Sequence, residues 1–299
     1  MSVIEKVRTA DAGRLRRRVE SRLRELLPVE GATGLQRAMA EAALRGGRRL
    51  RATLALLSCL AVGGREEDAL DLACAVEMVH AASLVLDDLP AMDDAGERRG
   101  APSLHRRHGE ATAILAAVAL LARAFEIAAA CDRARGTAAV ARLARTVGER
   151  GMCAGQFDDL AARRGGGAGL DNSGLDTPGL ETLHRRKSGC LVATACELGA
   201  MAGGGGGQAA AALAEYGMRL GVAYQILDDL ADRTRDAAAG QPNYVAAVGA
   251  TAARARARSL LEEAGRIVRA AGVDPVAIDA YVRGLLAGRD LPDRGCPGP

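Results

Sequence analysis

The chain has 299 residues, 49% of them hydrophobic and 26% charged, with a net charge of +3. That composition supports a sizeable core and excludes a largely disordered chain, and the small net charge excludes a whole-molecule field aimed at nucleic acid or an anionic membrane. The seven cysteines are odd in number, lack CxxC or Cys/His spacing and mostly sit in apolar stretches, so they read as reduced core thiols of a cytoplasmic protein.

Ala, Leu, Arg and Glu dominate and Trp is absent, which favours helices over strands and makes the expected fold class all-α. The N-terminal "MSVIEKVRTADAGRLRRRVE" lacks the continuous apolar segment of a secretory signal. Within it begins "GRLRRRVESRLRELL" (13–27), read as a helix packed on the protein body; its thin apolar face argues against a membrane-surface helix. "GGRRLR" (46–51) is a glycine-flanked basic patch. From 71 to 88, Leu72, Val76, Val79, Ser83 and Leu86 recur at three- and four-residue steps, as one face of a helix does. That helix runs directly into Asp87, Asp88, Asp93 and Asp94, followed by Arg98 and Arg99. "ATAILAAVALLARAFEIAAA" (111–130) is broken by Arg123 and Glu126 and reads as a buried helix rather than a stable membrane insertion. Glycine and proline gather at 163–179 and 202–207, where loops are expected. "HRRKSG" (184–189) carries Lys187, one of two lysines against 38 arginines. A further helical pattern, Leu213, Gly217, Leu220, Tyr224 and Leu227, leads into "QILDDLAD" with Asp228, Asp229 and Asp232. Residues 1–15 and 290–299 are expected to fray. One domain spanning 1–299 is expected, because the chemistry below draws on both halves.

On a helix, Asp228 and Asp232 lie one turn apart on one face, so their carboxylates converge. Unscreened, that crowding is repulsive, and each carboxylate raises the other's pKa unless a cation holds both ionised. Hard oxygen ligands of this kind suit Mg²⁺, which keeps several waters and is completed by substrate phosphates. One such cluster alone reads as a solvated helix end. Two, each following an amphipathic helix and each built of aspartate although glutamate is the better helix former, point to a metal site. The cations of 46–51, 98–99 and 184–189 supply the donors a diphosphate needs, and His80, two turns before Asp87, shares its face.

Those residues resemble the trans-polyprenyl diphosphate synthases. The stretch from "LDLACAVEMVHAASLVLDDLPAMDDAGERRG" onward looks especially like bacterial geranylgeranyl diphosphate synthases of carotenoid pathways, and "GMCAGQFDDL", "HRRKSG" and "YQILDDLAD" extend the likeness over about residues 40–250. The resemblance implies an all-α barrel around a deep central cavity, usually a homodimer. It implies a reaction that ionises an allylic diphosphate, joins it to isopentenyl diphosphate and loses a proton. By it, Asp87, Asp88 and Asp93 match the first aspartate motif and Asp228, Asp229 and Asp232 the second, together holding about three Mg²⁺ ions. Arg98, Lys187 and Gln225 match contacts to the allylic diphosphate or its metals, with Ser188 where threonine is common. Arg48, Arg51, His80 and Arg99 match the isopentenyl diphosphate pocket. The carboxylates would act as metal ligands rather than nucleophiles, and an apolar cavity would keep water from the carbocation.

Two departures stand out: Arg48 replaces a lysine, and "RTRDAAAGQPNY" (233–244) is shortened, with Arg235 and Gln241 at lysine positions. Ala82 and Ser83, five and four residues before Asp87, are expected to set chain length; a small residue at Ala82 favours a C20 over a C15 product, with the floor near Leu115–Leu121. Two rival readings remain open. A class I terpene cyclase is opposed by two Phe, four Tyr and no Trp. A non-catalytic regulatory subunit is opposed by two whole aspartate motifs and favoured by Gln241.

Overall fold

The structure, a computed structural model, describes residues 11–163, 177–239 and 243–287. In α1 (Ala12–Leu26) the Asp11 side chain accepts from the Gly13 N–H at 2.9 Å and caps the helix. Leu15, Val19 and Leu23 form its buried stripe, while Arg14, Arg18 and Arg22 pair with Glu66, Glu67 and Asp71, so the helix is docked rather than free for a membrane. A reciprocal capping box between Thr33 and Gln36 opens α2 (Gly34–Leu44). Next come α3 (Leu50–Ala61) and the 22-residue α4 (Glu66–Asp87), whose first turn carries Glu66, Glu67 and Asp68 against the helix dipole. An antiparallel pair, β1 (Glu97–Arg98) and β2 (Ala101–Pro102), holds the loop that follows.

The chain continues through α5 (Leu104–His108), α6 (Glu110–Ala129), α7 (Arg133–Val147), α8 (Met152–Arg163) and α9 (Thr177–His184). A π-helical turn, Arg185–Gly189, leads into α10 (Cys190–Ala202). The remainder comprises the 33-residue α11 (Gly207–Ala239), α12 (Tyr244–Val248), α13 (Ala250–Ala270) and α14 (Val276–Leu286). Almost everything described is helical, as the composition predicts.

Helix α4 lies against α3, α6 and α10; α10 in turn packs on α3 and α11, and α11 on α13. Their apolar faces meet in one continuous core. Gly199 of α10 sits so close to the Ala55 carbonyl of α3 that a Cβ has no room, which brings the two backbones into contact. The end of α4 and the middle of α11, where Asp228 lies, therefore face a common space; the second aspartate run, expected to follow its helix, lies within it.

Several expectations shift. Residues 12–15, expected to fray, are helical, with Leu15 fully buried. Helix α8 runs through Arg163 and α9 starts at Thr177, so both intrude on the expected loop at 163–179; residues 164–176, 1–10 and 288–299 lie outside the described residues. Gly203–Gly206 make the short connection between α10 and α11. Helices α4 and α6 are each long and apolar enough to cross a membrane. Most of α4 is instead buried in the protein, but α6, expected to be buried, packs only one face. Ala113, Ala117, Leu120 and Ala124 face inward, while Ile114, Leu115 and Val118 remain 42%, 58% and 55% exposed.

Candidate active site

A cavity of about 620 Å³ opens between α3, α4, the π-turn and α11. Residues far apart in the chain meet on its wall: Arg48, Arg51 and His80 on one side, Asp87, Asp93, Arg98 and Arg99 on another, and Lys187, Ser188, Gln225 and Asp228 opposite. Its walls thus carry acidic groups from both halves of the chain and a basic corner between them.

The aspartate doublets divide. Asp87 lines the cavity, and its carboxyl is pushed up to about 6 by burial, with Lys187 and Arg98 opposing and Asp93 and Asp88 adding to the shift. Asp88, the residue that caps α4, turns away into a buried position, where it accepts from Arg98 Nε at 2.9 Å and from Arg98 Nη2. In the second doublet Asp228 lines the cavity. Asp229 is buried behind it, accepting from the Tyr244 N–H at 2.8 Å and from Gln225 Nε2 at 3.3 Å, with His184 Nε2 at 3.4 Å. Asp88 and Asp229, expected as metal ligands, are paired with neighbouring donors in this structure and do not line the cavity, because adjacent helical residues point about 100° apart. The side chains of Asp232 and Arg235, and all of Gln241, lie outside the described residues.

The basic corner is built by backbone strain and close approach. Gly46 and Gly47 have φ of 49° and 112°, and a Cβ on Gly47 would strike the Arg99 guanidinium, whose Nη1 donates to the Arg45 and Gly46 carbonyls at 2.6 Å. Arg49 also adopts positive φ, 51°, and is buried beside Glu77, with Nη1 at 3.5 Å from Oε2. Glu77 Oε1 accepts from the Ala52 N–H at 3.2 Å, which anchors the carboxylate under the arginines. Burial lowers the Arg51 pKa, and Arg51 Nε has no partner among the described residues. His80 is pushed well below its ordinary value by burial and by Arg51, Arg99, Arg49 and Arg98, so it stands neutral among cations. A buried cationic donor lacking a partner beside a cavity is what an incoming anion would satisfy.

Lys187 sits in the π-turn, a helical irregularity frequent at functional sites. Gly155 of α8 presses against the Lys187 backbone with no space for a Cβ, fixing the turn. Lys187 Nζ donates to Asp159 Oδ2 at 2.7 Å, Ser188 Oγ donates to Gln225 Oε1 at 3.1 Å, and Gln225 passes the chain on to Asp229. Among the described residues no three His, Cys, Asp or Glu side chains close on one metal position. Asp87, Asp93 and Asp228 therefore fit Mg²⁺ only as partial ligands, the rest of each shell coming from water and a bound anion, which is the way Mg²⁺ ordinarily binds. The raised Asp87 pKa fits as well, since a carboxylate desolvated by burial gains from a divalent ion that holds it ionised.

A model of the polyprenyl synthetase family matches residues 33–244. The chain belongs to the polyprenyl synthetase family. It is 37% identical over 265 residues to the geranylgeranyl diphosphate synthase of Pantoea ananas, covering 85% of each chain. It is 35% identical over 285 residues to heterodimeric geranylgeranyl pyrophosphate synthase large subunit 2 of Arabidopsis thaliana, covering 91% of this chain and 74% of that one. Among solved structures, the geranylgeranyl pyrophosphate synthetase of the archaeon Geoglobus acetivorans superposes with a TM-score of 0.80 at 28% identity, over 92% of this chain and 97% of the other. The geranyltranstransferase of Thermotoga maritima gives 0.79 at 28%, over 93% and 98%.

In this family member a second, apolar cavity of about 310 Å³ adjoins the first, the two sharing Ser83, Asp87, Met152 and Lys187 on their walls. Val79, Leu86, Leu121, Val147 and Leu160 line it, so Leu121, in the stretch expected to form the floor, is in place, whereas Leu115 is exposed. Ala82 requires correction. It is fully buried and lines neither cavity, because it shares a helix face with the packed Ala75, Met78, Val85 and Leu89, while Val79, Ser83 and Leu86 turn toward the space. Sequence reasoning also missed Arg49, Glu77, Asp159 and Arg163. Glu77 left one signal, a lone acid within "LACAVEMVHAAS"; Asp159 left another, the acidic pair of "GQFDDL".

Proposed function

We propose that the protein condenses an allylic diphosphate with isopentenyl diphosphate, with Mg²⁺, to give geranylgeranyl diphosphate (C20), and that it works as a cytoplasmic homodimer. One observation carries the reading. Carboxylates from both halves of the chain face a basic corner across one cavity, and an apolar cavity opens beside them.

Asp87, Asp93 and Asp228 would hold the Mg²⁺ ions, about three of them on the family pattern. Bound there, Mg²⁺ supplies positive charge to the departing diphosphate and eases C–O cleavage. Lys187 and Arg98 would donate to the same diphosphate, Gln225 being oriented for it by Ser188 and Asp229. Arg48, Arg51 and Arg99, with neutral His80, would bind the diphosphate of isopentenyl diphosphate, Glu77 holding the arginine cluster at depth. The apolar cavity would take the tail and exclude water from the allylic cation. The free cysteines 59, 74, 131, 153, 190 and 196 support a reducing compartment. The exposed Ile114, Leu115 and Val118 support a dimer, for a second copy laid along α6 would cover them.

The test is incubation of purified protein with Mg²⁺, isopentenyl diphosphate and dimethylallyl, geranyl or farnesyl diphosphate in turn, with products sized by chromatography. A C20 diphosphate from every starter that is accepted is the expected result. Hydrocarbon released from an allylic diphosphate alone would establish a cyclase instead, and no condensation with any starter would defeat the reading.

A further inference from the structure

We propose that Arg163 is a positioning residue that occupies the first aspartate cluster as a resident cation and yields Asp93 when Mg²⁺ and diphosphate enter. The inference rests on the prenyl-transfer reading of the cavity. Arg163 ends α8, and its side chain is 19% exposed. One arm, Nη1, donates to Asp93 Oδ1 at 2.7 Å; the other, Nη2, donates to Asp159 Oδ2 at 2.6 Å. Lys187 Nζ reaches the same Asp159 oxygen at 2.7 Å. Arg163 Nε is buried without a partner among the described residues. Two cations and two carboxylates thus form a neutral quartet joining α8, the loop after α4 and the π-turn.

The quartet splits along a functional line. Asp93 and Lys187 line the cavity, whereas Asp159 and Arg163 stand behind them. If Asp93 turns to a metal and Lys187 to a diphosphate, Asp159 and Arg163 are left to each other, four residues apart on one helix and already paired. The arm released by Asp93 and the spare Nε are then available for a forked contact with the same carboxylate. At no stage is a half-buried charge stranded, which is the condition under which such a network opens cheaply. Arginine suits the task because its planar fork can span two carboxylates, which a lysine ammonium cannot do with the same geometry.

A guanidinium on Asp93 competes with a divalent ion for that carboxylate. Removing it takes the counter-charge of Asp93 from the empty site; in the loaded site it would also leave Asp159 alone once Lys187 has turned away, so the Arg163 variants are made and compared in an Asp159→Asn background, where that carboxylate is gone. Against that Asp159→Asn parent, Arg163→Gln should therefore bind Mg²⁺ more tightly. The measurement is calorimetric titration of Mg²⁺ into the full chain at fixed inorganic pyrophosphate, together with Tm with and without both. The half-saturating Mg²⁺ concentration should fall about threefold to tenfold in Arg163→Gln, and the Tm gain on adding Mg²⁺ and pyrophosphate should be larger than in the parent. Arg163→Lys should fall between the two; should Arg163→Gln not fold, the lysine variant is compared with the parent and must shift in the same direction. Unchanged or weaker Mg²⁺ binding in the variants overturns the proposal. An unsubstituted chain that shows no Mg²⁺-dependent pyrophosphate binding defeats the prenyl-transfer reading itself, whereas such binding with unshifted variants defeats only the exchange at Arg163.

Discussion

Ser83→Phe should shorten the product by one isoprene unit. Ser83 stands four residues before Asp87, about 6 Å along the helix axis, and it lies on the wall shared by the two cavities. At close-packed organic densities a carbon with its hydrogens fills about 25 Å³, so a five-carbon unit needs about 125 Å³. The apolar cavity, about 310 Å³, then holds two units. With the first unit of the starter beside the carboxylates, the longest starter that fits is farnesyl diphosphate, and adding one unit gives C20. Replacing a hydroxymethyl by a benzyl group removes roughly 100 Å³. The remaining space takes one unit and not two, so geranyl diphosphate becomes the longest starter and C15 the product. The assay compares parent, Ser83→Ala and Ser83→Phe with geranyl and farnesyl diphosphate as starters, and products are sized by chromatography. Ser83→Ala should keep the parental C20 product. If Ser83→Phe still extends farnesyl diphosphate at the parental rate, the tail does not pass Ser83 and the volume argument is wrong.

Ala82→Phe, one residue away, should behave differently: the position is fully buried, so the ring overpacks the core and lowers Tm, as read by a thermal melt, before it changes product length. Asp87→Ala and Asp228→Ala should each lower turnover by several orders of magnitude, since several kcal/mol of charge stabilisation is at stake and each 1.4 kcal/mol is about tenfold, while circular dichroism stays parental; near-normal turnover in both would reject the metal assignment. Glu181 is held below the usual carboxylate range by its hydrogen bonds from Arg256, with burial opposing and Tyr244 adding. A depressed folded pKa stabilises above the unfolded value and ceases to do so as pH falls through the folded one, so the Tm deficit of Glu181→Gln should be full at neutral pH and shrink in acid. A deficit that did not change with pH would show that the ion pair is not its source.

Much of this was legible before any coordinates. The fold class follows from residues that favour helix, and the two aspartate runs are conspicuous because each comes directly after an apolar helical stretch. The partners of the cavity wall, from Arg48 to Asp228, could be named because cations and carboxylates in those segments match one family. What escaped were residues whose role depends on a neighbour distant in sequence. Glu77 is an unremarkable acid until Arg49 is folded over it, and Arg163 is one of 38 arginines until α8 brings it between Asp93 and Asp159. Ala82 and Ser83 could not be separated by counting back from Asp87, since two adjacent helical positions differ in direction far more than in depth.

The same geometry explains why each motif spends two aspartates side by side. On a helix the second of a doublet is turned about 100° from the first, so it cannot serve the same ion from the same direction. In this protein it is paired with neighbouring donors instead. Asp88 accepts from Nε and Nη2 of Arg98 and so orients that cation along the cavity wall, its other N–H groups remaining for a ligand. Asp229 fixes Gln225 and, through the Tyr244 N–H, ties the start of α12 to the motif helix, while Asn243 caps α12 by accepting from the Val245 and Ala246 N–H groups. A charged group that faces metal and a charged group that holds its neighbour must both be acidic, but for different reasons. Exchange of the outward member for asparagine should weaken metal binding, whereas exchange of the inward member should loosen Arg98 or Gln225 and leave the metal ligands in place. On the proposed reading the doublet is one ligand and one brace, since the helix period turns only one of the two toward the cavity.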